Sequence, residues 1–168
     1  VTYPTTDDSD VEPNETLTVT IDGVTGTGTI LDNDKPGISG IEPNRPGVSD
    51  DQVEEGQPLS YTVTLTEPTQ TAVTYSFTTG GSATPGADYG VPSFDNGVTY
   101  DPATGTITVP AGVGSFTVSY PTIDDTAIEG NETLILTVGG VSGTGTIIDN
   151  DFNTPPTITD ATAVVSEE

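Results

Sequence analysis

The chain has no cysteine, histidine, methionine or tryptophan, and only two of its 168 residues are basic. Because cysteine is absent, no disulfide framework stabilises the fold, and thiols give no information on the redox compartment. Because histidine is absent as well, the nitrogen and sulfur ligands typical of zinc and copper sites are missing. Oxygen is therefore the expected ligand atom for any bound cation.

Positive charge is also scarce, since two basic residues face 26 acidic ones and the net charge is −24. Nucleic acids and anionic membrane surfaces select for lysine and arginine, so the balance argues against both as partners. No apolar run is long enough to span a bilayer, and we expect no membrane insertion. The chain starts without methionine or a signal peptide, so we expect a segment of a longer chain. The acidic composition fits a cation-rich extracellular setting, so we expect that chain to be secreted or on the cell surface.

The residues that are abundant are typical of an all-β protein with many turns, and they include 20 glycines and 14 prolines. Apolar and polar residues alternate over 59–65 and 73–77, which indicates half-buried strands. Further short strand-like runs occupy residues 98–100, 106–109, 115–120, 134–138 and 144–148. Together they predict a seven-stranded antiparallel β-sandwich of immunoglobulin-like type.

An internal repeat organises the chain. Residues 3–34 align with residues 120–151 at a constant offset of 117, with 21 identities in 32 positions and no gap. This predicts tandem repeats. We expect residues 1–34 to be the C-terminal part of a preceding repeat and 50–151 to be a complete domain. Residues 35–49, with three prolines and both basic residues, are predicted to be a linker and lead-in, and 152–168 a linker and the start of a following domain.

Acidic residues concentrate near the end of each repeat. Four carboxylates lie between Asp124 and Glu132, just before a strand, and Asp149 and Asp151 follow the next strand. Two like charges ~4 Å apart repel by about 1 kcal/mol even in water, so carboxylates gathered by folding need a counter-ion or shifted pKa values. Acidic residues at strand ends are often only turn formers. Their repetition at a fixed offset favours a Ca²⁺ site instead.

These acidic segments, together with Glu54-Glu55-Gly56 and residues 83–89, resemble the Calx-beta domain, a Ca²⁺-binding sandwich found in large secreted bacterial adhesins of the RTX type. The resemblance implies an ion cluster at one end of the sandwich, where loops converge. Asn150 stands where the family carries an acidic residue, so we expect one or two ions rather than four. The implied ligands are Glu54 or Glu55, Asp88, Asp125, Glu129, Glu132, Asp149 and Asp151, with Asp124 and the Asn150 carbonyl as additions, and in the preceding copy Asp7, Asp8, Glu12, Glu15, Asp32 and Asp34.

The leading functional hypothesis is an extender repeat of an extracellular adhesin, stiffened by Ca²⁺, whose partners are neighbouring repeats. The alternative is a Ca²⁺-dependent module that binds a surface glycan or a protein receptor through Tyr89, Phe94 and Tyr100, although alternating aromatics are more often core residues. A glycosidase needs two carboxyls with different pKa values in a cleft, whereas these carboxylates are many and alike. We therefore expect no enzymatic activity.

Overall fold

The computed structural model describes residues 1–8, 10–32, 34–43 and 51–151, which form twelve β-strands and no helix. The predicted all-β fold is confirmed, and no helix of the described residues could cross a membrane. The expectations for residues 44–50 and for the junction at 152–168 lie outside the described residues. The strands are β1 (Glu15–Ile21), β2 (Val24–Ile30), β3 (Ile38–Pro43), β4 (Gln52–Glu54), β5 (Leu59–Leu65), β6 (Val73–Gly81), β7 (Ser93–Phe94), β8 (Thr99–Asp101), β9 (Thr106–Val109), β10 (Ser115–Tyr120), β11 (Glu132–Val138) and β12 (Val141–Ile148).

Strands β3 to β12 form two sheets in a sandwich-like arrangement. One sheet has the order β3-β5-β10-β7, and the other has the order β4-β12-β11-β6-β9-β8. Within these two sheets all pairs are antiparallel except β4, which runs parallel to β12. The sheets meet closely at Gly143 and Gly145 of β12, against Ile41 of β3 and Leu59 of β5.

The core follows the period-two pattern of the sequence. In β5, Leu59, Tyr61 and Val63 are fully buried, while the intervening Ser60 and Thr62 are partly exposed. Burying one such apolar side chain contributes roughly 1.5–3 kcal/mol. The Tyr61 hydroxyl is satisfied because it donates to the backbone carbonyl of Leu134 at 2.6 Å. The facing residues of the core include Phe116, Val118 and Tyr120 from β10 and Leu134, Leu136 and Val138 from β11.

The strand count differs from the prediction, because the sandwich has ten strands among the described residues where the sequence predicted seven. β4 and β7 have only three and two residues, which is too short to show an alternating pattern. β3 carries a glycine and a proline, which the sequence pattern associates with loops. The three strands that the pattern missed are therefore the ones with little or no periodic signal.

β3 also changes the domain boundary. Residues 35–49 were predicted to be a linker and lead-in, but Ile38–Pro43 pair with β5 and form an edge of the four-stranded sheet. Pro36 is fully buried, and Gly37 exchanges hydrogen bonds with Thr66 at 3.1 and 2.9 Å. The sandwich thus begins at about Pro36, and only Lys35 separates it from the acidic segment that ends at Asp34.

The first 34 residues contain the hairpin β1–β2, which pairs in the same register as β11–β12. Glu15 lies opposite Ile30 in the first hairpin, and Glu132 lies opposite Ile147 in the second, each shifted by 117 residues. The local part of the repeat is therefore reproduced in the structure.

Candidate metal centre

The candidate site is built on the segment that follows β12. The side chain of Asp149 accepts two backbone hydrogen bonds, one from Glu129 N–H at 2.6 Å and one from Asp151 N–H at 2.8 Å. Asp125 accepts a third bond of this kind from Ala127 N–H at 2.6 Å. Short acidic side chains readily bond to nearby backbone donors, and the bonds to Asp125 and from Asp151 are local ones of this kind. The bond from Glu129 to Asp149 holds the loop from 124 to 132 against the end of β12.

Parallel pairing of β4 with β12 brings a further carboxylate to this end. Val53 lies opposite Ile147 and Glu54 opposite Ile148, so Glu55 follows alongside Asp149. Glu55 N–H donates to the carbonyl of Ile148 at 3.1 Å and fixes this position. In the first cluster, carboxylate oxygens of Glu55, Asp149 and Asp151 lie within 4.8 Å of one another, and all three residues are half-buried.

The first cluster contains a carboxylate oxygen without a partner. Asp151 Oδ2 is buried, and no hydrogen-bond donor among the described residues contacts it. Burial, followed by the charges of Asp149, Asp124 and Asp125, raises the pKa of Asp151. The pKa of Glu55 is also raised, mainly by burial and then by neighbouring carboxylates, although a backbone hydrogen bond from Asp125 lowers it. An unpaired buried carboxylate oxygen is costly unless a proton or a cation satisfies it.

The second cluster consists of Asp88, Glu129 and Glu132, whose carboxylate oxygens also lie within 4.8 Å of one another. Burial, a side-chain hydrogen bond with Asp88 and the charges of Asp88, Glu129 and Glu55 raise the pKa of Glu132 from 4.5 to about 7. Because Glu55 contributes to this shift, the two clusters are electrostatic neighbours. Asp88 is held by its own loop, since Thr84 N–H donates to its side chain.

The remaining predicted ligands of the sandwich lie outside the two clusters. Asn150 donates its side-chain amide to Asp124 Oδ1 at 3.2 Å and to the Glu55 carbonyl at 3.5 Å, so it links the segments that carry these two residues. Asp125 is engaged with its own loop, and Glu54 is exposed at the end of β4. Of the ten residues predicted in this copy, the structure therefore brings six into the two clusters.

The first hairpin repeats the scaffold of the site. Glu12 N–H donates to Asp32 Oδ2 at 2.9 Å, Asp34 N–H to Asp32 Oδ1 at 2.9 Å, and Asp10 N–H to Asp8 Oδ1 at 2.9 Å. The charge of Asp8, with smaller effects of Glu15, burial, Asp10 and Asp32, raises the pKa of Glu12. All six predicted residues of this copy line one concavity: Asp7, Asp8, Glu12, Glu15, Asp32 and Asp34.

A second feature that sequence reasoning only partly found is an open aromatic groove of about 840 Å³. Tyr89 and Tyr120 stack edge to face at 5.5 Å, and Tyr100 lies 4.9 Å from the ring of Phe77. Tyr89 is buried and Phe94 half-buried, while Tyr100 is 36% exposed. The predicted platform of Tyr89, Phe94 and Tyr100 is thus mainly core with one exposed edge. The sequence pattern could not show that these aromatic side chains form a groove with Phe77 of β6 and Tyr120 of β10.

Comparison with known proteins gives similarities of chain path at low sequence identity. No protein-family model and no curated protein matches the chain. A crystal structure of the S-layer protein SbsC aligns with 86% of this chain at 17% identity and a TM-score of 0.40, and the chain spans 17% of its length. The apo form of the Calx CBD1 domain aligns with 67% of this chain and 100% of its own length, at 18% identity and a TM-score of 0.42.

Proposed function

We propose that this chain is a calcium-binding structural repeat of a large extracellular surface protein or adhesin, in which Ca²⁺ stabilises the sandwich and its junctions. The observation that carries the proposal is the pair of carboxylate triads at one end of the sandwich, one of which includes the unpartnered oxygen of Asp151. Ca²⁺ takes six to eight oxygen ligands and tolerates irregular geometry, which suits clusters drawn from several loops.

Calcium chemistry fits these ligands better than magnesium chemistry does. Mg²⁺ requires near-ideal octahedral geometry and keeps several waters, whereas Ca²⁺ accepts carboxylates and carbonyls at varied angles. Extracellular Ca²⁺ modules have a Kd on the order of 10⁻⁴–10⁻³ M, so such a repeat would be loaded outside a cell and empty inside it. Folding of the acidic end would then follow export.

The junction supports a role in a stiff array. We propose that residues 1–34 belong to a preceding repeat whose ion-binding end faces the next sandwich, with neighbouring repeats as the principal partners. Asp32 and Asp34 line a concavity of about 270 Å³ shared with residues 70–74 of the sandwich. The connection is short and anchored, because Tyr75 donates its hydroxyl to the Pro36 carbonyl at 2.6 Å and Lys35 Nζ lies 5.3 Å from the centre of the Tyr75 ring.

Calorimetric titration with Ca²⁺ and with Mg²⁺ tests ion binding. Glu129→Ala removes a cluster carboxylate and should reduce Ca²⁺ affinity at least tenfold, which corresponds to about 1.4 kcal/mol. Asp101→Ala is the matched control, because Asp101 only accepts turn hydrogen bonds from Ala103 N–H and Thr104 Oγ1 at 2.9 Å. Equal losses in both variants would mean that net charge, not coordination, attracts the ion.

A second candidate function is Ca²⁺-dependent binding of a neutral glycan, and the observation that favours it is the aromatic groove. Its volume and aromatic lining fall within the range of small-ligand sites. The loop between Thr84 and Gly90 joins the two features, since Asp88 is in the second cluster and Tyr89 lines the groove. Glycan-array binding that needs Ca²⁺ and is lost in Tyr100→Ala would support this function, and array-wide silence would oppose it.

A further inference from the structure

The second half of β6 is paired along one edge only among the described residues. β11 pairs with it from Phe77 to Gly81, whereas β9, on the other side, pairs only with Val73 to Ser76. β9 reaches no further because the chain turns at Gly105, whose N–H donates to the Asp101 carbonyl at 2.9 Å. β6 therefore continues past the end of its partner strand on this side.

The open edge presents the backbone of Thr79. Phe77 N–H donates to the Gly105 carbonyl at 2.9 Å, while the Ser76 carbonyl accepts a bond from Gly139 N–H at 3.0 Å on the side of β11. Backbone groups of an antiparallel strand point to alternate sides, so those of Thr79 point the same way as those of Phe77. No strand or bridge of the described residues meets them there. Thr79 thus offers one N–H donor and one carbonyl acceptor to a further strand.

The aromatic groove adjoins this edge. The side chains of Tyr75, Phe77 and Thr79 share the inward face of β6, and of these three only Thr79 is exposed. Thr79 Oγ1 lies 2.7 Å from the Tyr120 hydroxyl of the opposite sheet, and both residues line the groove. An extended chain beside Thr79 would therefore direct alternate side chains into the groove.

The lining of the groove suits apolar side chains. Among the described residues it consists of aromatic rings, prolines, glycines, one valine and one threonine, with no acidic, amide or basic side chain. Val91 is 83% exposed and Tyr100 36% exposed, so apolar surface is accessible on its walls. An extended peptide would use both this lining and the open edge of β6, whereas a glycan would use the lining alone.

The charge around the groove favours a basic ligand. From Val73 to Gly81, β6 carries no charged residue and no proline, which are two features that commonly protect an edge strand. Asp88 and Asp101 adjoin the lining residues Tyr89 and Tyr100 in the sequence, and the net charge of the chain is −24. Such a field attracts a cationic partner and repels another copy of this acidic chain.

We propose that the open edge of β6 and the aromatic groove together form a docking site for an extended peptide segment of another protein. The segment adds to β6 as a strand in line with β9, and its backbone exchanges hydrogen bonds with Thr79. It carries apolar residues at alternate positions, which enter the groove, and basic residues beside them. No member of the two carboxylate clusters lines the groove, so this site does not depend on the metal ion.

A set of synthetic peptides tests the binding. Each peptide has Val, Leu, Phe or Tyr at alternate positions, Thr between them, Lys at both ends and blocked termini. We expect saturable binding to the full-length chain, weakened at least tenfold by Val91→Lys. Val24→Lys is the matched control, since Val24 is 75% exposed in the hairpin β1–β2 and the substitution adds the same charge. It should change the affinity by no more than about twofold.

Backbone bonding distinguishes strand addition from other modes of peptide binding. Methylation of the peptide amide that faces the Thr79 carbonyl should weaken binding at least tenfold, while methylation of the two neighbouring amides, which point away from β6, should have little effect. Hydrogen exchange followed by NMR gives the second measurement. In the free chain the Thr79 amide should exchange faster than the Thr78 amide, which points toward β11, and peptide should protect it.

Four results would overturn the proposal. The first is failure of the whole peptide set to bind at ~1 mM, including the case in which a neutral glycan binds instead. The second is binding with no alternation in the effect of amide methylation. The third is a Thr79 amide that is already protected in the free chain at every concentration, because another segment of the chain would then cover the edge. The fourth is protection that rises with chain concentration, because a second copy would then be the occupant.

Discussion

The stability of the sandwich should fall as pH rises in chelator, and Ca²⁺ should oppose that fall. The pKa values of Glu55, Glu132 and Asp151 are all raised in the folded state, chiefly by burial. A raised carboxyl pKa means that the folded chain binds protons more tightly than the unfolded chain. In chelator, the stabilisation is complete below the ordinary carboxyl pKa of 4.5 and is lost as pH rises to about 7, where Glu132 titrates.

Calcium opposes this trend, because an ion needs the deprotonated carboxylates. An ion at about ten times its Kd stabilises the folded state by RT ln(1 + [L]/Kd), which is about 1.4 kcal/mol for one site. For a domain of this size, that corresponds to an increase in Tm of about 5–10 °C. The gain should be larger at pH 8 than at pH 5, where Glu132 is mainly protonated and an ion must displace its proton.

Thermal melting followed by circular dichroism at pH 5 and pH 8, in chelator and in excess Ca²⁺, measures both effects. The Tm in chelator should fall between pH 5 and pH 8, and the difference between Ca²⁺ and chelator should grow. Glu132→Gln is the informative variant, since it keeps the side-chain shape and should flatten the pH dependence in chelator. A Tm in chelator that rises with pH would refute the reasoning, because the acidic end would then be an ordinary solvated surface.

Three further outcomes are expected. Gly145→Ala should cost about 1–3 kcal/mol in denaturant unfolding, because its Cβ meets the methyl groups of Leu59, whereas the matched Gly28→Ala, with nothing within 4 Å, should be neutral or stabilising. Tyr75→Phe removes the hydroxyl that holds the Pro36 carbonyl and should cost about 0.5–1.5 kcal/mol and broaden the distribution of dimensions in small-angle scattering; an unchanged distribution would show that the junction is held elsewhere. Asn150→Asp adds a charge and removes the amide donor to Asp124, so it should lower Tm in chelator and recover more with Ca²⁺ than the parent chain; recovery equal to the parent's would contradict this.

Much of the fold could be predicted from the sequence because its longer strands alternate strictly. β5, β6 and β10 show the period-two pattern over seven, five and six residues, and the structure has strands there. β4 has no such signal, yet it determines the site, because its parallel pairing with β12 carries Glu55 to Asp149. A pairing between segments more than ninety residues apart depends on the packing of the whole sandwich, which local pattern does not encode.

In the candidate site, too, some features follow from local sequence and others depend on contacts between distant segments. Loop hydrogen bonds around Asp149 recur around Asp32, so the acidic motif forms its scaffold from local sequence alone. The choice between Glu54 and Glu55, and the separation of six carboxylates into two clusters, depends on contacts between distant segments. The resemblance implied that the candidate ligands lie at one end of the sandwich, but the sequence could not show that Asp125 and Asn150 form hydrogen bonds with the loops.

The comparison of the two hairpins also indicates which folded state Ca²⁺ binding would stabilise. Both copies have the local scaffold, and in the sandwich Glu55 from β4 and Asp88 from the loop after β6 complete the two triads found among the described residues. If Ca²⁺ binds these clusters, it binds a completed sandwich more tightly than a lone hairpin. By linkage, the binding free energy then favours assembly of the half that supplies Glu55 and Asp88 onto the hairpin. Calcium would thus act on completion of each repeat, and stiffness of the junction would follow from it.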